Sequence, residues 1–184
     1  MDPMLKRRFQ SQVRDQCKFL IFSAQGLDDA MTLLQQHGPM GPGMDLLWYQ
    51  LQNLLTAAAN ISKVLWGAGG KLDEERRPVR ESLGVPDDSP LQNTDLRNHF
   101  EHFDERLDRW WIESGPNHHF FDRNLGPPGM IGALTPMDQF RQYDLSTHKA
   151  VFWGVEHDIK AIFEAAAELL PVAEAEANKP HWEE

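Results

Sequence analysis

Apolar residues recur every three or four positions along the first third of the chain. In the first stretch they are Phe9, Val13, Cys17, Leu20, Ala24, Leu27, Met31 and Leu34. In a second stretch they are Leu47, Leu51, Leu54, Ala58, Ile61 and Leu65. This period is typical of helices with one apolar face. It predicts a helix over most of residues 5–36, and a second helix from the candidate N-cap Asp45 to a stop at Gly67.

The segment between these two helices, residues 37–43, contains two prolines and three glycines, which break helical structure. A connection this short between two long helices predicts that they pack antiparallel. Residues 67–92 are rich in glycine, proline and charge, and predict a long connection with one helical turn near residues 77–83.

Two more helices and a small β region are predicted in the second half. A third helix runs from Asn93 or Thr94, either of which can cap it, to about Glu113. A fourth runs from Val155 to Leu170, where Pro171 ends it. Between them, residues 140–144 and 149–153 predict a β-hairpin, and residues 120–125 predict a third strand.

Together these elements predict a mainly α fold. We expect an antiparallel four-helix bundle with a β-hairpin or three-stranded excursion, at about residues 115–154, between helices 3 and 4. The length of 184 residues suits a single helical-bundle domain over residues 1–171. Residues 172–184 are predicted to form an acidic tail.

The net charge of the chain limits which partners it can bind. The formal net charge is −10, which disfavours a protein that coats nucleic acid, because phosphate chains are repelled at long range. The imbalance lies in residues 81–184, whereas residues 1–80 carry a small excess of basic groups. The basic residues of the first half include Lys6, Arg7, Arg8, Arg14, Lys18, Arg76, Arg77 and Arg80. Any RNA site must therefore be a local pocket.

The single cysteine, Cys17, cannot form an internal disulfide, which fits a reducing compartment. The first ten residues lack the apolar run of a signal peptide, and no stretch approaches the roughly 20 apolar residues that span a bilayer. We therefore expect a cytoplasmic protein with no membrane partner. Cys17 lies on the apolar face of the first helix and is expected in the core.

The densest group of polar side chains lies on the third helix. With about 100° per residue, one outward face carries Arg97, Asn98, Glu101, His102 and Glu105. The core face carries Leu96, Phe100, Phe103, Leu107, Trp110 and Trp111, and His99 lies at its border. The simplest interpretation is a solvated face in which Arg97–Glu101 and Glu105–Arg109 form weak i,i+4 ion pairs.

The spacing Arg97-Asn98-x-x-x-His102 resembles the Arg-x(4–6)-His motif of the HEPN superfamily, in which a polar residue often follows the arginine. The resemblance implies a bundle of four or five helices. It also implies a homodimer, with the motifs of both subunits in one composite site. Many members are metal-independent endoribonucleases of toxin–antitoxin or phage-defence type, which suggests an RNA substrate and an antitoxin as protein partner.

The residue types suit this chemistry. His102 supplies an imidazole, a group that can take a proton from a ribose 2′-hydroxyl or give one to the leaving oxygen near neutral pH. The Arg97 guanidinium can stabilise the charge that builds on phosphate, and Asn98 can orient the phosphate or the imidazole. The expected products are a 2′,3′-cyclic phosphate and a 5′-hydroxyl, and no cofactor or metal is expected.

Other interpretations stay open. The same face of the third helix suits a non-catalytic interaction or oligomerisation module. The relaxed motif also occurs from Arg141 to His148, in the predicted hairpin. His99 and His102 are spaced to bind one metal ion, but the Glu-x-x-His pattern of di-metal bundles is missing there. His118 lies in a predicted loop, and His157 in the first turn of the predicted last helix.

Overall fold

The computed structural model describes residues 1–116, 118–127, 129–130, 132, 134–180 and 182. The fold is mainly α, with a small four-stranded mixed sheet before the last helix. The helices formed by the described residues are α1 (Pro3–His37), α2 (Gly43–Trp66), α3 (Asp73–Leu83), α4 (Asp95–Glu101), α5 (Phe103–Glu113) and α6 (Ile159–Asn178). The strands are β1 (Asn124–Leu125), β2 (Arg141–Asp144), β3 (Lys149–Phe152) and β4 (Val155–Asp158).

Residue contacts divide the chain into two compact units. Unit 1 comprises residues 1–94 and 161–184, and unit 2 comprises residues 95–160. The single domain expected over residues 1–171 stays a prediction, because compact units of one chain can fold together or separately. None of the helices in the described part of the chain is long and apolar enough to cross a membrane.

Helices α1 and α2 of unit 1 form the predicted antiparallel pair. Asn60 of α2 donates to the side chain of Gln16 in α1 over 3.2 Å, while Gly43 lies against the α1 backbone at Leu34. The helix α2 begins at Gly43 without a side-chain cap, so the prediction that Asp45 is the N-cap is wrong. A Cβ atom at Gly43 would lie 2.7 Å from the Leu34 amide nitrogen, so glycine permits the helix to begin against α1.

The core of unit 1 lies between these helices and α3. All the α2 residues of the predicted apolar face are buried: Leu47, Leu51, Leu54, Ala58, Ile61 and Leu65. The predicted turn near residues 77–83 is the C-terminal part of α3. Its Arg80 is only 2% exposed and donates to the carbonyls of Leu65, over 2.7 Å, and Asp73, over 2.9 Å. Arg80 thus caps the C-terminus of α2.

The last helix differs from its prediction at both ends. It begins at Ile159 because residues 155–158 form a strand, and it continues through Pro171 to Asn178. Beyond Pro171, contacts with α1 stabilise the helix. Lys18 pairs with Glu174 over 2.8 Å, and Arg7 donates to the carbonyls of Glu176 and Pro180. Much of the predicted acidic tail is therefore helical.

The sheet of unit 2 has the order β1-β2-β3-β4, with β1 parallel to β2 and the other pairs antiparallel. The predicted hairpin is confirmed as β2–β3, with Asp144 opposite Lys149. The Asp144 carboxylate closes its turn by accepting from Ser146 and Thr147 over 2.7–2.9 Å. The third strand predicted within residues 120–125 is present as β1, which has two residues. Strand β4 was predicted as helix.

The core of unit 2 is aromatic. Phe140 and Phe152 are fully buried, and Trp110 is 8% exposed and packs edge-on against Phe140. Trp111 was predicted in this core, but it is 61% exposed. The prediction of four helices is wrong among the described residues, because α3 is a helix of its own and the predicted third helix is interrupted at His102.

Candidate functional site

The candidate motif lies across the interruption between α4 and α5. His102 has φ −100° and ψ 37°, outside the helical range. Its N–H donates to the Asn98 carbonyl over 3.0 Å, and its carbonyl accepts from the Arg106 N–H over 3.1 Å. Helical hydrogen bonding therefore continues across the break, and the chain bends at His102 without losing these two bonds.

Arg97 is more enclosed than predicted. Its side chain is 17% exposed and forms an ion pair with Glu101. One terminal nitrogen also donates to the Asn98 side-chain oxygen over 3.3 Å. The Arg97 Nε atom is buried and makes no hydrogen bond to the residues that the structure describes. Arg97 and Asn98 are thus half-buried rather than outward-facing, and the Arg97 guanidinium is already paired with Glu101.

His102 is exposed and paired with a carboxylate. Its side chain is 51% exposed, and its Nδ1 atom lies 3.3 Å from Glu105 Oε1. A carboxylate at Nδ1 favours the tautomer that carries the proton there, so Nε2 is the nitrogen that can accept a proton from solvent or substrate. An imidazole whose Nε2 is free in this way can act as a general base.

Glu105 connects His102 to a longer series of polar contacts. Its second carboxylate oxygen lies 3.8 Å from Arg106 Nη1. The Arg106 Nε atom donates in turn to Nδ1 of His99 over 3.0 Å. We call the series His99, Arg106, Glu105 and His102 the α4–α5 polar chain. It begins on α4, crosses to α5 and returns to the break between them.

His99 is held against the sheet. Its ring is stacked on Phe152, with 4.5 Å between centroids and 6° between planes. The ring of His157, on β4, lies edge-on to it at 6.5 Å. Burial is the main cause that lowers the pKa of both imidazoles, and Arg106 and His157 lower that of His99 further, while Asp95 opposes the shift at both. Both rings are therefore held in the neutral form.

The contact between His157 and His99 was not predicted from the sequence. His157 was expected in the first turn of a helix, whereas it lies on β4, with its register partner Ala150 on β3. Its Nε2 atom is buried and makes no hydrogen bond within the described part of the chain. The predicted hairpin could have indicated this strand. Its second strand, β3, has an unpaired edge, and the segment that follows in the chain can pair with such an edge as a further strand.

The second copy of the motif has a structural role. Arg141 forms an ion pair with Asp122, to which its Nε donates over 2.8 Å, and its guanidinium lies 4.5 Å from the Phe103 ring centre. His148 lies in the hairpin turn with φ 53°, and its Nδ1 is 3.3 Å from the Tyr143 hydroxyl. Arg141 thus joins β2 to Asp122 and to α5, while the contact of His148 lies within the hairpin.

Unit 1 uses several of its basic residues internally. Lys18 and Arg7 bind the end of α6, and Arg80 lies 2.9 Å from the Asp73 carboxylate. The guanidinium of Arg76 lies 3.7 Å above the ring of Phe9. Much of the positive charge of the first half is therefore neutralised or packed within unit 1.

A metal centre was the other chemistry considered for this face. Among the described residues, no group of three or more His, Cys, Asp or Glu side chains is arranged to hold a metal ion. The two histidines in question are engaged differently, since His99 accepts from Arg106 and His102 pairs with Glu105.

Comparison of the chain with models of protein families, with curated protein sequences and with solved structures gives no match.

Proposed function

We propose that this protein is a HEPN-like endoribonuclease that acts in the cytoplasm as a homodimer, with Arg97, Asn98 and His102 in a composite site. The observation that carries the proposal is the His102–Glu105 pair, in which a half-exposed imidazole at a helix break has a carboxylate 3.3 Å from Nδ1. In the proposed fold, the antiparallel α1–α2 pair belongs to a helical bundle. The proposed biological setting is a toxin–antitoxin pair.

In the proposed reaction the RNA supplies its own nucleophile. Nε2 of one His102 takes the proton of the ribose 2′-hydroxyl, whose oxygen then attacks the neighbouring phosphorus. The bond from phosphorus to the 5′-oxygen breaks, and the His102 of the other subunit gives that oxygen a proton. The products are a 2′,3′-cyclic phosphate and a 5′-hydroxyl, and the two imidazoles exchange protonation states.

Arg97 and Asn98 stabilise the charge that develops on the phosphate. When RNA binds, the Arg97 guanidinium exchanges Glu101 for a phosphate oxygen, which keeps a charge-assisted hydrogen bond in each state. The Asn98 side-chain oxygen, 3.3 Å from Arg97 Nη1, orients the guanidinium during this exchange.

The test is cleavage of a labelled RNA in EDTA by the purified full chain and by Arg97→Ala and His102→Ala. Loss of a general acid–base group or of a charge stabiliser lowers such rates by about 10²–10⁴-fold. Arg109→Ala and His119→Ala are the matched controls, because both residues are exposed in unit 2 and lie outside the motif. Absence of cleavage by the wild type, or equal rates in all variants, would overturn the proposal.

The dimer is tested separately by light scattering at micromolar concentration. A composite site requires two copies, so the wild type is expected at twice its chain mass of 21.1 kDa. A strict monomer under conditions in which RNA is cut would exclude the composite site, although not the cleavage chemistry.

A second candidate function is a non-catalytic helical interaction module. In that case the outward face of α4 and α5 is a solvated or partner-binding surface. It is favoured by the exposed apolar side chain of Ile112 on α5, which is 80% exposed. The ion pair of Arg97 with Glu101 needs no ligand on such a surface. If the module is correct, the wild type cuts no RNA, whereas Ile112→Ser changes the association state and Phe22→Ser, on α1, does not.

A further inference from the structure

The α4–α5 polar chain links a partly buried histidine to the exposed candidate base. His99 is stacked on Phe152 and accepts from Arg106, and Arg106 lies beside Glu105, which pairs with His102. The hydrogen bond from Arg106 to His99 connects α5 to α4 across the bend at His102. Breaking that bond therefore frees the Arg106 side chain, which contacts both His99 of α4 and Glu105 of α5.

The bond depends on the protonation state of His99. Nδ1 accepts from the Arg106 guanidinium only while it carries no proton. An imidazolium carries a proton on both nitrogens, so it cannot accept, and it would place a second cation 3.0 Å from Arg106. Acid is therefore expected to break this contact.

The charged groups around His99 come from each element that packs against it. Asp95, on α4, favours protonation, whereas Arg106 on α5 and His157 on β4 disfavour it. The β3 side of the ring is Phe152, which carries no charge. Burial, Arg106 and His157 all lower the pKa of His99, so the neutral, bonded form persists at neutral pH.

We propose that His99 and Arg106 form a pH-sensitive clasp across the α4–α5 bend, which positions Glu105 and through it the imidazole of His102. His99 and Arg106 are positioning residues, because neither reaches the reacting atoms. The clasp itself is a property of unit 2, and only its effect on RNA cleavage rests on the proposed function.

Nuclear magnetic resonance of the ¹⁵N-labelled full chain tests the clasp without RNA. At pH 7.5 the His99 ring is expected with Nε2 protonated and Nδ1 free of a proton. On acidification His99 takes up a second proton and this tautomer is lost. The His102 and Arg106 amides are then expected to lose their protection against hydrogen exchange, measured after correction for intrinsic exchange rates.

The variant His99→Gln separates the clasp from mere packing. Its amide oxygen can accept from Arg106 but takes up no proton in this range, so the protection of residues 102 and 106 is expected to stay constant with pH. His119→Gln is the matched control and is expected to behave as the wild type. His157→Gln removes the neighbouring imidazole that lowers the pKa of His99, and is expected to move the loss of protection towards neutral pH.

Two results would overturn the clasp. One is a His99→Gln protein that keeps the wild-type loss of protection in acid. The other is a wild type in which protection is lost while His99 stays neutral. The second comparison needs only the wild type, so it decides the matter even if His99→Gln does not fold.

Activity gives a separate readout. If the wild type cuts RNA, its rate is expected to fall as the clasp opens, and His99→Gln is expected to remove that part of the pH profile. An identical acid limb in His99→Gln would contradict the positioning role. If the wild type does not cut RNA, the proposed function fails, while the resonance measurements still confirm or overturn the clasp.

Discussion

The imidazole of His99 lies parallel to the ring of Phe152, with 4.5 Å between the centroids and 6° between the planes. Phe152 is fully buried on β3 and also meets Phe103, the first residue of α5, edge-on at 6.4 Å. One side chain of the sheet thus supports the helical segments on both sides of His102. The position of the candidate base depends on tertiary packing as well as on the helix that carries it.

Replacing Phe152 by Ala should destabilise the protein by about 3–5 kcal/mol, because the change removes a fully buried ring and leaves a cavity. The measurement is the free energy of unfolding from a urea titration. Ile112→Ala is the control, since Ile112 is 80% exposed and its change should stay within about 0.5 kcal/mol. A similar small loss for both variants would mean that Phe152 does not support the break.

Gly43→Ala should cost about 1–3 kcal/mol, because the added methyl group would meet the Leu34 amide nitrogen at 2.7 Å and the Ala30 carbonyl oxygen at 2.9 Å. Neither backbone atom can move without shifting α1. Gly132→Ala is the control, since no atom of the described residues beyond its chain neighbours lies within 4 Å of a Cβ atom there. Thermal unfolding of the two variants measures the difference, and an unchanged melting temperature for Gly43→Ala would contradict the close helix contact.

Arg80→Met should lower the free energy of unfolding by about 1.5–3 kcal/mol, the usual cost of losing hydrogen bonds from a buried charged group. The Leu65 carbonyl at the end of α2 loses its donor, while methionine keeps most of the apolar contacts. Arg77→Met is the control on the same helix. Arg77 is 51% exposed and pairs only with Glu74 among the described residues, so urea unfolding should show little change.

Cys17 should be inert towards thiol reagents in the folded protein. Its side chain is fully buried, and burial raises the pKa of the thiol to about 12, so almost no thiolate is present at pH 8. A colorimetric disulfide reagent should react slowly in buffer and rapidly in urea. Complete reaction of the native protein within the mixing time would show that the α1 core opens readily.

The apolar period predicted α1 and α2 well, because both helices bury one continuous stripe against each other. Leu47, Leu51 and Leu65 are buried as the spacing requires. The hairpin was also predictable, since its turn depends on local residues such as Asp144. In both cases the residues that determine the element lie within it or within a few positions of it.

The break at His102 and strand β4 were not predictable in this way. No proline or glycine marks the break, which is supported by the contacts of His99 and Phe103 with Phe152, some fifty residues away. The sequence 155–158 suits a helix start locally, but the free edge of β3 pairs it as a strand. Long-range packing thus determined the parts of the site that the pattern missed, including the contact between His99 and His157.

The most direct test of the proposed function is the chemical identity of the RNA ends that the full chain produces in EDTA. We expect a 2′,3′-cyclic phosphate and a 5′-hydroxyl from the wild type and from His119→Ala, and about 10²–10⁴-fold fewer such ends from His102→Ala. Ends with a 5′-phosphate and a 3′-hydroxyl, or the predicted ends in equal amount from His102→Ala, would contradict it.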